Sequence, residues 1–321
     1  MRIDSIWARL TGAFALILAW CFQAAPALAQ DEAGRANAVT APAATASAPR
    51  PAIWLLSRGD TKIYLFGTVH ILPPELQWRS AALDRVIGEA DELVLEIAAD
   101  EMEQPDPAAL QAMMLGKTAP LEWRVSPNRR AALRAMVADS GLQPLMLDQM
   151  QTWAATMTLS VAQLVAGHAE DGSIEEAMAN MSGAEDALTA AFRERGKPIS
   201  GVETVGEQMS FFGSMSFTAQ REMLEEMVDA HASGAGAAFD PNESGWVSGD
   251  VESIAEEMRA MNPDLYDALL TRRNAAWTDW LIARLERPGT VLFAVGAGHL
   301  AGEHSVQAML EARGFTVARI D

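Results

Sequence analysis

The sequence predicts an α/β fold, in which a mixed central sheet is flanked by helices and carries a mainly helical insertion. From residue 53 onward, short runs rich in β-branched and aromatic residues alternate with longer runs that have helical apolar spacing. Between about residues 105 and 191 the helical spacing dominates. Hydrophobic residues make up 50% of the 321 residues and charged residues 21%, so the chain can bury a substantial core.

Six strands are expected, each a short apolar run bounded by turn residues. The first two are joined by Arg58-Gly59-Asp60, which is typical of a hairpin. The third, ELVLEI, indicates a buried strand. The expected strands span residues 53–56, 62–67, 92–97, 198–202, 290–295 and 315–320.

Helices are expected where apolar residues recur at helical spacing, and two of them begin at Pro107 and Pro127, because proline suits a first turn. The run at 145–166 is apolar on most sides, which predicts a central buried helix. Its methionines are interpreted as core residues, with a ligand groove as the alternative. The other expected helices span 80–89, 107–115, 127–139, 184–195, 263–285 and 303–313, with one more beginning at residue 203 and a helical region from 218. The expected apolar face of the helix at 263–285 consists of Leu265, Leu269, Ala276, Trp280 and Leu281.

The first thirty residues have the pattern of an export signal. Two arginines precede an apolar run from Leu10 to Phe22, and Ala27-Leu28-Ala29 supplies the small residues that a signal peptidase recognises. The run is shorter than the ~20 residues of a membrane-spanning helix. We therefore expect cleavage after Ala29, no stable membrane insertion afterwards, and an exported, periplasmic protein. The single cysteine, Cys21, belongs to this signal, so the mature chain is expected to contain no thiol.

Residues 30–52 are rich in Ala, Pro, Thr and Ser and lack apolar periodicity. Such a segment buries too little apolar surface to offset the entropy of ordering it. A disordered linker is therefore predicted before a domain that covers residues 53–321.

The charge balance argues against a nucleic-acid partner. Lys and Arg total 24 against 43 Asp and Glu, a formal net charge of -19. Nucleic-acid binding depends on clustered basic residues, so no nucleic-acid partner is expected.

The sequence also contains no G-x-S-x-G, H-E-x-x-H, P-loop or cysteine-based zinc motif, which argues against the commonest esterases, zinc proteases and nucleotide hydrolases. The oligomeric state is left open by the sequence.

A histidine or a glutamate stands at or just beyond the end of four predicted strands. These residues are His70, Glu96, Glu203 and His299, and each histidine ends a G-x-x-H motif. Ligands bind at the carboxyl ends of strands in open α/β sheets, so the four side chains are expected to converge. Each also has a simpler interpretation. The histidines could be core or loop residues, Glu96 an ordinary ion pair, and Glu203 a carboxylate at a helix N-terminus. The remaining histidines, His168, His231 and His304, lack partner spacing and are interpreted as structural.

Over residues 53–321 the chain resembles the TraB/GumN family, which includes the Tiki proteases and is distantly similar to erythromycin-esterase-like and ChaN-like proteins. Six motifs in the family's order carry the resemblance. They are YLFGTVHILP with His70, LVLEI with Glu96, GKPISGVETVGEQ with Glu203 and Gln208, WVSGD with Trp246 and Asp250, RRNAAW with Arg273 and Asn274, and FAVGAGHLAG with His299.

The resemblance implies a metal-dependent hydrolase acting on a peptide or protein substrate. His70, Glu96 and His299 would bind a divalent ion, and imidazole with carboxylate ligands suits Mn, Co or Zn. Glu203 would be the general base, although Glu96 and Glu203 could exchange these roles. Arg273 would stabilise the developing oxyanion, with Asn274 and Gln208 orienting their neighbours.

Two alternatives remain open from the sequence. One is a binding protein for haem or another small ligand that uses the same crevice without turnover. The other is metal-free hydrolysis, with His70 or His299 acting directly as the general base, as the similarity to erythromycin-esterase-like proteins implies.

Overall fold

The structure is a computed structural model that describes residues 49–73, 75–98, 100–101, 106–168, 182–234 and 245–321. The predicted signal, its cleavage site after Ala29, Cys21 and linker residues 30–48 lie outside this part of the chain. None of the helices within the described ranges is both long and apolar enough to cross a membrane.

Within the described ranges, six strands form one sheet in the order β4-β3-β5-β2-β1-β6. They are β1 Ile53–Arg58, β2 Thr61–Thr68, β3 Glu92–Ile97, β4 Ile199–Glu203, β5 Gly289–Gly296 and β6 Val317–Arg319. The four strands β4, β3, β5 and β2 run parallel, while β1 is antiparallel to both β2 and β6. The predicted α/β fold with a mixed sheet is thus confirmed.

The α-helices of the described ranges mostly lie where helical spacing predicts them, but the single helix expected over 145–166 is divided in two, and the one over 263–285 is also interrupted. They are α1 Ala81–Glu89, α2 Pro107–Met114, α3 Arg130–Asp139, α4 Pro144–Asp148, α5 Thr152–His168, α6 Ala184–Glu194, α7 Val205–Ser214, α8 Phe217–Ser233, α9 Val251–Arg259, α10 Pro263–Tyr266, α11 Arg272–Arg284 and α12 Val306–Ala312. Short 3-10 turns at Leu121–Trp123, Pro127–Arg129 and Ala297–Leu300 complete the chain path.

Helices cover both faces of the sheet, because side chains alternate between the faces along each strand. Phe66 and Leu292 point to one face, which packs against α1, α6 and α9. Leu65 and Phe293 point to the other, which packs against α11 and α12. The site described below therefore sits on a three-layer scaffold.

A separate apolar cluster joins helices α2 to α5 with α7 and α8, which together form a helical bundle. Met150 and Met157 are fully buried in it, so they are core residues, as interpreted from the sequence. Helix α6 lies within the predicted insertion of residues 105–191, yet it packs on the sheet. Helices α7 and α8 follow β4 and pack with the insertion.

The predicted linker boundary at residue 52 needs correction. The N–H of Arg50 donates to the carbonyl of Val247 at 2.8 Å, and Pro51 is buried. These contacts offset part of the conformational entropy that residues 49–52 lose when they become ordered. Residues 49–52 therefore belong to the folded domain.

The apolar face predicted for residues 263–285 is also partly wrong, because a π-helical turn at Asp267–Thr271 separates α10 from α11. The N–H of Arg272 donates to the carbonyl of Asp267, five residues back, so the turn holds one residue more than an α-helical turn. The buried face of α11 is shifted accordingly. It contains Arg273, Asn274, Trp277, Thr278, Leu281 and Arg284, whereas Ala276 is exposed and Trp280 is only partly buried.

Candidate functional site

The four parallel strands deliver their ends to one edge of the sheet. Thr68 at the end of β2 is opposite Gly296 at the end of β5, and Ile97 at the end of β3 is opposite Glu203 at the end of β4. The structure therefore brings together all seven site residues predicted from the sequence. They are His70, Glu96, Glu203, Gln208, Arg273, Asn274 and His299.

Arg273 lies at the centre of this cluster and binds both glutamates. Its Nε and Nη2 donate to Oε1 and Oε2 of Glu203 at 2.9 and 2.7 Å, and Nη2 also donates to Oε2 of Glu96 at 2.5 Å. Its Nη1 donates to the carbonyl of Leu269, which belongs to the π-helical turn. The side chain is almost wholly buried, so its hydrogen bonds to the two carboxylates are formed away from water.

Gln208, from α7, bridges the same two carboxylates. Its Nε2 donates to Oε2 of Glu96 at 3.1 Å and to Oε2 of Glu203 at 3.0 Å. Helix α7 begins at a Thr204 cap directly after β4, which places Gln208 above the strand ends. The orienting role expected for Gln208 is consistent with this geometry.

Asn274 sets the tautomer of His299. Its Nδ2 donates to the carbonyls of His299 and His304, so its Oδ1 is the acceptor that faces Nδ1 of His299 at 2.5 Å. Nδ1 therefore carries the proton, and Nε2 has the lone pair. Arg273 Nη1 donates to this Nε2 at 3.1 Å, and Glu96 Oε1 lies 3.7 Å from it.

His70 reaches the cluster from the loop after β2. Its Nδ1 lies 2.7 Å from Oε1 of Glu185, a residue of α6, and its side chain is 22% exposed. Its Nε2 is 3.8 Å from the point that a Cβ on Gly296 would occupy, and Glu96 Oε1 is 3.1 Å from the same point. His70, His299 and Glu96 thus all lie close to Gly296, whose N–H donates to Glu96 Oε1 at 2.7 Å, and a side chain at this position would contact all three.

The electrostatics of the two histidines differ. Burial disfavours a charged His70 ring, but the carboxylate of Glu185 outweighs burial and raises the pKa of His70 to about 9. Burial, with Arg273 beside it, lowers the pKa of His299 well below its usual value. In the metal-free protein at neutral pH, His70 is therefore an imidazolium and His299 is neutral.

The two glutamates differ as well. Burial alone would raise the pKa of Glu96, but Arg273, the two histidines and the N–H of Gly296 together outweigh burial and lower this pKa to about 2. Burial raises the pKa of Glu203 above its usual range, against the opposing effect of Arg273. Glu96 is therefore the more firmly ionised carboxylate, and its Oε1 is the oxygen that faces the histidines.

The three side chains expected to bind a metal ion match such an ion in ligand type, but their spacing in this structure is not that of a metal site. Nε2 of His70, Nε2 of His299 and Oε1 of Glu96 are ligands that Mn, Co or Zn accept. No group of three potential ligand residues among the described residues already has metal-binding spacing. An ion bound by all three residues would replace the hydrogen bond from Arg273 to His299.

Other residues singled out in the sequence have structural contacts. Trp246 is buried and its Nε1 donates to the carbonyl of Gly67, which supports the loop before His70. Asp250 caps α9. His231, on α8, pairs with Asp139, on α3, at 3.1 Å.

Sequence reasoning missed Glu185, because nothing in the sequence of α6 marks one of its two first-turn carboxylates as a partner of His70.

Comparison with known proteins gives consistent matches. The chain is 24% identical over 263 residues to the uncharacterized protein YbaP of Escherichia coli (strain K12), covering 81% of this chain and 92% of that protein. YbaP of Shigella flexneri matches with the same identity and coverage. A metalloprotease TIKI homolog of Amphimedon queenslandica is 27% identical over 161 residues, covering 41% of this chain and 31% of that protein.

No solved structure gives a significant match. The sequence profile described as the TraB/PrgY/gumN family matches residues 52–319, which include every strand and the whole cluster around Arg273. The chain therefore belongs to the TraB/PrgY/gumN family.

Proposed function

We propose that the protein is an exported hydrolase that cleaves peptide bonds with the cluster at the strand ends. The observation that carries the proposal is the convergence of His70 and Glu96 beside Gly296, with the neutral Nε2 of His299 next to Glu96. Family membership and the TIKI homolog, whose name gives it as a metalloprotease, support the reaction class. The pattern of residues 1–29 supports export.

The chain's own residues account for charge and orientation in this reaction. Asn274 fixes the tautomer in which Nε2 of His299 accepts a hydrogen bond from Arg273, and Arg273 provides fixed positive charge for an oxyanion. Both oxygens of Glu203 accept hydrogen bonds from Arg273, so this residue is better placed to anchor Arg273 than to act as the base. His70, as the more exposed histidine, is the group that reaches the substrate and transfers protons.

In the metal-dependent form of the proposal, His70, Glu96 and His299 hold a divalent Mn, Co or Zn ion. Such an ion polarises the scissile carbonyl and activates water. His70 must lose its proton to become a ligand, so binding of the ion and release of this proton are coupled.

The second candidate is metal-free hydrolysis, and a specific observation favours it. Arg273 Nη1 already occupies the lone pair of His299, at 3.1 Å. His299 then serves to position Arg273, while Glu96 and His70 perform the proton transfers between water, substrate and leaving group.

The test combines elemental analysis with a peptide-cleavage screen. Mature protein is purified, treated with a chelator, and assayed with and without added Mn, Co or Zn. The variants are His70→Gln and His299→Gln, with His231→Gln as a matched control, because His231 also pairs with a carboxylate but lies on the helical bundle.

One bound ion, with cleavage that requires it and is lost in both site variants, supports the metal-dependent form. Cleavage that survives chelation but is lost in His70→Gln supports the metal-free form. A wild-type protein with no cleavage under any of these conditions contradicts the proposal, as does full activity in both site variants.

A further inference from the structure

We propose that Glu185 is a positioning residue that accepts the Nδ1 proton of His70 and thereby keeps Nε2 of this ring directed into the crevice. Its importance for turnover rests on the proposed hydrolase function. The contact itself, 2.7 Å from Nδ1 to Oε1, joins two side chains that are each about four-fifths buried. The contact is an ion pair, and a charge-assisted hydrogen bond at this distance would be among the stronger ones in proteins.

The backbone fixes the two residues relative to each other. The N–H of Leu72 donates to the carbonyl of Ser182 at 2.9 Å, and the N–H of Ala184 donates to the carbonyl of Val69 at 2.8 Å. These two bonds lie on either side of His70 in sequence. The start of α6 is thereby held against the His70 loop, and the first turn of α6 contains Glu185.

Gly183 makes this close approach possible. A Cβ at residue 183 would lie 2.4 Å from the carbonyl oxygen of His70, far inside any contact that real side chains make. The absence of a side chain at this position lets the first turn of α6 come near enough for Glu185 to reach the ring.

A carboxylate in the first turn of a helix often only stabilises that helix, because it caps free N–H groups or interacts favourably with the macrodipole. In α6 a different residue does this, because Asp186 Oδ2 accepts the N–H of Gly183 at 2.8 Å. The oxygens of Glu185 are buried and meet hydrogen-bond geometry with no group of the described residues, so the 2.7 Å approach to His70 Nδ1 is an ion-pair contact. Its polar contact is therefore with His70.

The two G-x-x-H histidines are thus held in the same way. Asn274, on α11, engages Nδ1 of His299, and Glu185, on α6, engages Nδ1 of His70. An imidazole held at one nitrogen has its orientation set and presents the other nitrogen to its ligand or substrate. Helices on opposite faces of the sheet therefore hold both rings at the ends of the parallel strands.

The test uses the metal-free mature protein labelled with ¹⁵N and the side-chain N–H signals of its histidines. The signal from Nδ1 of His70 is identified by its loss in His70→Gln. The variants are Glu185→Leu, which removes the acceptor, and Glu185→Gln, which keeps an acceptor oxygen without the charge. Glu194→Gln, at the exposed end of the same helix, is the matched control.

We expect the Nδ1 signal to be present in the wild type and in Glu194→Gln and to be lost in Glu185→Leu. In Glu185→Gln it should persist but move upfield, because a neutral acceptor makes a weaker bond. Hydrolysis should fall about 10- to 100-fold in Glu185→Leu and be largely restored in Glu185→Gln.

An unchanged signal in Glu185→Leu would overturn the proposal. If that variant fails to fold, Glu185→Gln decides, since an identical chemical shift there shows that Glu185 is not the acceptor. A wild type that shows the signal but no cleavage refutes the hydrolase function while leaving the contact between Glu185 and His70 intact.

Discussion

Arg273 and Glu203 form a buried ion pair in which two nitrogens of one group meet both oxygens of the other, at 2.9 and 2.7 Å. Paired charges of this kind are costly to separate, because removing one partner leaves the other desolvated. Arg273 also neutralises Glu96. The stability of the domain and the chemistry of the crevice therefore depend on the same guanidinium.

The first prediction concerns this guanidinium. Arg273→Met leaves Glu96 and Glu203 buried without their cation, so the free energy of unfolding should fall by about 3–5 kcal/mol. Arg272→Met is the matched control, because Arg272 is 50% exposed and pairs with Asp267 at the surface. It should cost about 1 kcal/mol or less. Urea denaturation measures both, and equal losses would contradict the buried pairing.

The second prediction concerns the space beside Gly296. The backbone there, with φ -48°, accepts any residue, so Gly296→Ala should fold. Its Cβ would lie 3.1 Å from Glu96 Oε1 and 3.8 Å from His70 Nε2, displacing groups of the crevice. Cleavage should fall about 100-fold or more, with little change in melting temperature. Gly88→Ala, at an open helix position, should leave cleavage unchanged.

The third prediction is a pH dependence of stability. The pKa of His70 is raised to about 9 in the folded protein, from a usual value of 6.5. The stabilisation from protonated His70 is thus complete below pH 6.5 and is lost as the pH rises through 9. With chelator present, the free energy of unfolding should fall over this window by about 3 kcal/mol at most. His70→Gln should remove this decline, and His231→Gln should retain it; the same decline in both variants would assign it to other groups.

The fourth prediction separates positioning from stability at Asn274. In Asn274→Ala, Nδ1 of His299 loses its partner, and hydrolysis should fall about 10- to 100-fold. Asn262→Ala removes the cap of α10 and should cost about 1 kcal/mol of stability without affecting hydrolysis. Rate assays and thermal melts on both variants test this prediction. Equal activity in the two variants would show that the contact of Asn274 with Nδ1 of His299 does not contribute to hydrolysis.

Local patterns predicted the strands and therefore the ends at which the site residues gather. The G-x-x-H motifs begin in the last residues of β2 and β5, and Glu96 and Glu203 lie in the last two residues of β3 and β4. Apolar runs and turn residues are properties of neighbouring residues in the chain, so a single sequence is enough to find them. The convergence at one edge then follows from parallel pairing.

What local patterns could not supply were contacts between distant segments. The partnership of Glu185 with His70 depends on how α6 packs on the sheet, and the folding of Arg50 onto Val247 depends on a loop far along the chain. The π-helical turn has a similar origin. Arg273 faces inward because it pairs with the buried carboxylates of Glu96 and Glu203. This tertiary contact changes which residues of the helix are buried, so the helical spacing alone wrongly predicted Ala276 and Trp280 in the core.

The antiparallel direction of β1 determines where the chain enters the domain. Since Ile53 is paired with Phe66, the first residues of β1 lie at the edge where β2 ends, next to the loop that carries His70. Anything joined to residue 49, such as a fusion partner, a bead or a surface, is thus attached on the crevice side of the molecule. Immobilisation through this end would turn the site toward the support and restrict access to large substrates, whereas attachment at the opposite edge of the sheet would leave it open to solution.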